Sequence, residues 1–120
     1  MRNMWIGTVP GQEQMVLASR RRDDQTLFYR YTIYRAKRRP LTDAEAIKVG
    51  SVLEEGTQII EVWQEALDNA VAISPATLPC PAPKSGDIWT DASGIEWVIN
   101  ARLDIGLFDE RINTAVTRKL

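Results

Sequence analysis

The 120-residue chain predicts an α+β fold: a small antiparallel β-sheet or barrel with one or two helices in the middle of the chain, an all-β barrel being the alternative. Three observations carry this reading. Residues 26–37, TLFYRYTIYRAK, are dense in aromatic and β-branched side chains that suit a pleated surface. Residues 57–71 space their apolar side chains as a helix does, and the sequence after Gly86 is patterned as hairpins. The length allows one domain, 1–120.

Residues 1–25 carry the weakest pattern. A short helix over 11–22 would gather Met15, Ala18 and Ser19 on one thin side, and Arg20-Arg21-Arg22-Asp23-Asp24-Gln25 reads as a loop. The stretch is expected to form a mobile N-terminal arm. Along 26–37, Leu27, Tyr29, Tyr31 and Ile33 share one face while Phe28, Arg30, Thr32 and Tyr34 share the other. Such a strand needs cover on both sides or a place in a barrel wall. It is expected to end at Arg38-Arg39-Pro40, because proline donates nothing to a ladder.

Thr42 and Glu45 stand at the spacing of a capping box, and Asp43 and Glu45 suit the positive end of a helix dipole, with Gly50 as the stop. Next, Ile59, Ile60, Trp63, Ala66, Leu67, Ala70 and Val71 follow the i, i+3, i+4, i+7 rule, with Glu61, Gln64, Glu65 and Asp68 opposite. Only Val62 leaves the stripe. A strand over 58–67 mixes apolar and polar residues at both parities, so a helix is favoured there. Residues 74–85 hold four of the six prolines and are expected to cross the surface in extended form, not to serve as a ligand for recognition modules. The segments 87–91 and 95–100 then flank Ala92-Ser93-Gly94, a turn opened by an aspartate and closed by a glycine. A second pair is expected from 101–105 and 111–118.

Composition narrows the function. No apolar run is long enough to span a membrane, and residues 1–7 lack the apolar stretch of a signal peptide. One cysteine and no histidine exclude a disulfide framework, the usual zinc sites and histidine-based acid–base chemistry. These features point to a soluble, intracellular protein that is not an enzyme and uses neither cofactor nor metal. The net charge of −1 conceals +6 over residues 1–39, −8 over 40–100 and +1 over 101–120. Folding is expected to interleave the two signs, although opposed halves would also suit head-to-tail association.

Each candidate for chemistry has a structural explanation. Asp87, Asp91 and Glu96 match no calcium-loop or phosphate-loop spacing, and Asp91 has a sufficient role in the turn. Cys80 lies between two prolines with no histidine to activate it, and reads as a silent thiol. Arg35, Lys37, Arg38 and Arg39 form the densest basic cluster. Beside Tyr29 and Tyr31 they offer a single-strand nucleic-acid surface, but protection of an edge strand or contact with a protein partner is favoured. Trp63, Trp89 and Trp97 are assigned mainly to the core, whereas Trp5 is the candidate interface anchor.

The stretch Pro83-Lys84-Ser85-Gly86-Asp87-Ile88-Trp89-Thr90-Asp91-Ala92-Ser93-Gly94-Ile95-Glu96-Trp97-Val98-Ile99 resembles the hairpin of small head–tail joining, head-closure and neck proteins of tailed phages and prophages. The resemblance covers 17 residues. It implies a compact β-barrel or sandwich that assembles into rings between portal and tail, with Gly86, Asp87, Asp91, Gly94 and Trp97 as hairpin scaffold and none of them catalytic. The expected function is therefore a structural adaptor acting through protein–protein contacts, with itself in a ring and with portal or tail components. Trp5, Arg35, Lys37, Arg38 and Arg39 are the expected contact residues, in the cytoplasm of a bacterial host or in the virion. The alternative is a small nucleic-acid-binding module built on residues 35–39. No membrane and no small-molecule substrate is expected in either case.

Overall fold

Period-two alternation, obvious only in residues 26–37, governs most of the chain once it is folded. The computed structural model describes residues 12–20, 27–43, 56–103 and 111–119. They form strands β1 (Gln12–Arg20), β2 (Phe28–Pro40) and β3 (Gln58–Trp63), helix α1 (Gln64–Asp68), and strands β4 (Val71–Ile73), β5 (Ile88–Thr90), β6 (Glu96–Leu103) and β7 (Arg111–Arg118). The sheet runs β1-β5-β6-β7-β3-β2, and β1 pairs again with β2 to close a six-stranded antiparallel barrel. β4 lies outside this ring, on the edge of β2 beyond the reach of β3. Closure removes the sheet edges that an open arrangement would leave.

The α+β expectation is thereby corrected: the fold is mostly β, with 60% strand and 7% helix. The main error falls at residues 57–71. Ile60 and Val62 point into the barrel, yet Ile59 and Glu61 on the outer face are also buried. A strand covered on both faces loses its alternation, and its continuous apolar run imitates a helical stripe. Within residues 57–71, helix survives only over the five residues of α1, which bury Ala66 and Leu67. The helix expected over 11–22 is likewise a strand. Met15 and Leu17 alternate into the core with Ser19 behind them, and β1 pairs with both β2 and β5. Residues 12–20 are thus a closing wall of the barrel. The rest of the expected arm lies outside the described residues, as do the capping-box helix beyond Asp43 and the turn between β6 and β7.

Two bulges set which side chains face inward. Between the pairs Glu13↔Ala36 and Met15↔Ile33, β2 advances three residues while β1 advances two. The extra residue moves the inward phase of β2 from Tyr31 and Ile33 to Ala36 and Arg38. Unbroken alternation would put Arg35, Lys37 and Arg39 on the face of Tyr31 and Ile33; the bulge puts them on the opposite one. A second bulge, between Ile99 and Ala101 of β6, turns Ala101 and Leu103 outward. There they form an outer apolar cluster with Ile59, Ala115 and Leu41.

The interior is filled by Met15, Leu17, Tyr31, Ile33, Trp89, Trp97 and Ile99 among others. Trp89 is fully buried. Its Nε1–H donates to Thr114 Oγ1 at 3.2 Å, and the Thr114 hydroxyl donates to the Ile60 carbonyl at 3.0 Å. The barrel floor is crossed by the proline-rich segment, where Ala76, Cys80 and Pro83 are buried and the Tyr31 hydroxyl donates to the Thr77 carbonyl at 2.9 Å.

Asn113 breaks the rule that buried polar groups are paired. It is buried in β7 opposite Glu61, and neither side-chain amide atom has a hydrogen-bond partner. Replacing such a group by a β-branched apolar residue removes the desolvation cost and suits a central strand. Asn113→Val is therefore expected to raise stability by about 1 kcal/mol, read as a higher urea midpoint at unchanged slope.

Candidate functional site

The hairpin singled out in the sequence and the basic end of β2 meet at the barrel wall, held by two buried aspartates that bracket β5. Asp87, before the strand, accepts the Arg20 backbone N–H on Oδ1 at 3.0 Å and the Lys84 N–H on Oδ2 at 3.2 Å. The Lys84 ammonium lies 3.4 Å from both carboxylate oxygens, and donates to Ser19 Oγ at 2.9 Å and to the Arg20 carbonyl at 3.2 Å. Asp87 thus fastens the end of β1 to the loop entering β5. Gly86 makes the turn before Asp87 possible because its φ of +93° is left-handed; a Cβ there would meet the Arg20 guanidinium carbon at 3.6 Å, an ordinary contact.

Asp91, after β5, organises the turn and the wall together. Oδ1 accepts the backbone N–H groups of Ser93 at 2.9 Å and Ile95 at 3.0 Å, while Gly94 takes φ +85° to close the turn. Oδ2 accepts the Trp97 indole N–H at 3.0 Å and the Arg38 guanidinium at 2.5 Å. The same guanidinium lies 5.0 Å from the Trp97 ring centroid, within cation–π range. Only 2% of the Asp91 side chain is exposed. Burial opposes its ionisation, but the Trp97 indole, the Ile95 and Ser93 amides and Arg38 outweigh that, and the carboxyl is held below its ordinary range.

The basic cluster is divided by the bulge. Arg38 faces inward and is bound to Asp91 and Trp97. Arg39 Nε pairs with Glu61 Oε2 at 3.1 Å, a carboxylate only 7% exposed. Lys37 is half-buried on the outer face, in register with Gln12 and Glu61. Arg35 lines a cleft of about 710 Å³. Two of the four cations assigned to a partner are therefore committed to ion pairs within the chain, and the opposed charges of the sequence meet in part inside one subunit. Trp5 lies outside the described residues.

Asp87, Asp91 and Glu96 are not brought together. The first two sit at opposite ends of β5, roughly 13 Å apart at strand rise, and Glu96 is exposed near Lys119 at 3.9 Å. Among the described residues, no group of three His, Cys, Asp or Glu side chains could hold a metal ion. Cys80 is buried, and burial together with the charge of Asp87 pushes its thiol up to about 11, far from thiolate chemistry at neutral pH. Among the described residues, no helix is long and apolar enough to cross a membrane.

The cleft was not foreseen. It opens where β3 leaves the edge of β2 and α1 arches over the gap, between Gln12, Tyr34, Arg35, Trp63, Glu65 and Asn69. Trp63, assigned with the core tryptophans, is only half-buried and lines it, whereas Trp89 and Trp97 are buried. The one available signal was the Tyr34-Arg35 pair at the end of the strand pattern, where the bulge falls.

Asp91 makes stability pH-dependent with a definite sign. Its folded pKa lies below the unfolded value of about 3.9, so its contribution is fully present above that value and is lost as pH falls through the folded pKa. Asp91→Asn is expected to cost about 2–4 kcal/mol near neutral pH, since Arg38 loses its counter-charge. The gap between the two proteins should shrink below about pH 4, as measured by urea unfolding across that range.

Comparison of the chain with protein-family models, with curated proteins and with solved structures found no match.

Proposed function

We propose that the chain is a non-catalytic assembly protein that acts through protein–protein contacts, as an adaptor of the head–tail junction type in a tailed phage or prophage. The observation that carries this reading is the use made of the hairpin on which the resemblance rests. Gly86, Asp87, Asp91, Gly94 and Trp97 are all spent on building the wall of a small barrel, which is the role and the architecture the resemblance implies. Polar groups engaged in this way are not free to turn over a substrate. What the protein offers to others is its outer surface: the cleft beside α1 and the exposed apolar residues of β4.

In this reading the partners are further copies in a ring and the portal or tail components on either side, met in the host cytoplasm and retained in the virion. In the nucleic-acid alternative, Arg38 and Arg39 of the basic cluster are already held in ion pairs, which reduces its cationic surface.

Electron microscopy of the purified chain mixed with candidate portal and tail proteins, at low and moderate salt, is expected to show rings or defined complexes. A monomer that stays alone under every condition overturns the reading. Titration with single-stranded DNA in low salt is expected to give no complex at micromolar protein; steeply salt-dependent binding would favour the alternative.

A further inference from the structure

We infer that the Arg20 guanidinium, at the end of β1, is a carboxylate-binding fork whose occupant is an acidic side chain of a partner protein. The fork is held by its face. The point where a Gly86 Cβ would stand lies 3.6 Å from Arg20 Cζ and 3.8 Å from both Nη1 and Nη2. With the central carbon nearest and the two nitrogens equally far, that point sits above the plane of the group, so the guanidinium lies face-on over the glycine. The ring of Phe28, the residue opposite Arg20 in β2, has its centroid 5.6 Å from Cζ, within cation–π range. Two contacts thus orient a side chain that would otherwise be rich in rotamers.

Oriented in this way, the group is still unpaired. Its Nε–H is enclosed without a hydrogen-bond partner, and among the described residues neither Nη group meets an acceptor. The Asp87 carboxylate is taken up by the Lys84 ammonium and by two backbone N–H groups, one of them that of Arg20 itself. Lys84 is therefore neutralised within the chain, whereas the Arg20 charge is not. With Nε enclosed, the edge left to a ligand is the one bearing Nη1 and Nη2. Its parallel N–H donors match the two oxygens of a carboxylate.

Charge and neighbours select the source of that carboxylate. Nucleic acid binds through several phosphates at once, each met by a cation. Here one cation is uncompensated, and the residues that follow are balanced in sequence, Arg21 and Arg22 against Asp23 and Asp24. Leu27, beside the stacking Phe28, is 46% exposed. An apolar neighbour suits a protein segment with an apolar residue next to its acid, because nucleic-acid interfaces are more polar and far more cationic.

The inference rests on the proposed function only in taking the ligand to be part of a protein. Its test is NMR titration of the full chain, in low salt, with an acetylated and amidated hexapeptide holding one glutamate between two leucines and glycines elsewhere. The expected dissociation constant is about 1–10 mM, with shifts in the Arg20 Nε–Hε signal and in the amides of residues 85–87. A glutamine version of the peptide is expected to bind about tenfold more weakly. Arg20→Met, which keeps the stem, should abolish binding; Arg20→Lys, which keeps the charge and loses the fork, should weaken it about fivefold. Arg20→Met is also expected to leave the urea midpoint nearly unchanged, since loss of the cation–π contact is offset by relief of the unpaired Nε–H.

Any of four results overturns the inference: no shift at Arg20 up to the solubility limit of the peptide; equal binding by the glutamine peptide; binding that Arg20→Lys leaves unchanged; or tighter binding of octathymidine than of the peptide at Arg20. Self-association of the free chain that Arg20→Met removes would likewise overturn it, by assigning the fork to a second copy. Ring or complex formation with virion proteins that survives Arg20→Met, together with a silent peptide, would remove this site and leave the assembly reading standing. A binding peptide with no assembly would do the reverse.

Discussion

Asp91 is where the local and the long-range construction of this barrel come together. One carboxylate ties the turn of the β5–β6 hairpin through two backbone amides and fixes Trp97 in the core through its indole. It also neutralises Arg38, which comes from the opposite part of the wall. Each of these bonds on its own is worth a modest amount, because folding exchanges it for bonds to water. Their value lies in sharing one buried acceptor: with the carboxylate removed, an indole, a guanidinium and two amides lose their partner together.

That arrangement depends on the bulge in β2. Without the extra residue between Ile33 and Ala36, the inward phase would continue through Arg35 and Lys37, and Arg38 would point to solvent. The bulge also leaves room beside Tyr34 and Arg35 for the cleft under α1, and it lies between the stretches of β2 taken up by β3 and β4. A single inserted residue therefore decides which cations are structural, where a cleft opens and where an additional strand stands. The outer surface that results carries an apolar edge strand and a cleft lined by Tyr34, Arg35 and Trp63.

The hairpin after Gly86 was legible because its stabilising contacts are local. Asp91 reaches Ser93, Ile95 and Trp97, two, four and six residues along, and the glycines sit where the chain needs a left-handed turn. The strand of β2 was legible because aromatic and β-branched residues crowd a short segment. β1 and β3 were not, for opposite reasons. β1 alternates with small or polar residues such as Ser19 and so shows little contrast, while β3 is covered on both faces and shows none. In β3 the β-branched Ile59, Ile60 and Val62 were the better guide, and the helical spacing of their neighbours outvoted them.

By itself the sequence determined a single small chain with no histidine, one cysteine, and a tight hairpin whose aspartates and glycines have fixed roles in the turn. These are matters of composition and of bonds between near neighbours. Barrel closure, and the sorting of Arg35, Lys37, Arg38 and Arg39 into a cleft, a surface and two ion pairs, were decided only by the tertiary structure. Arg38 meets its carboxylate 53 residues away, and whether it faces inward to do so is set by the register of β2 against β1, a relation between strands that no single stretch of sequence contains.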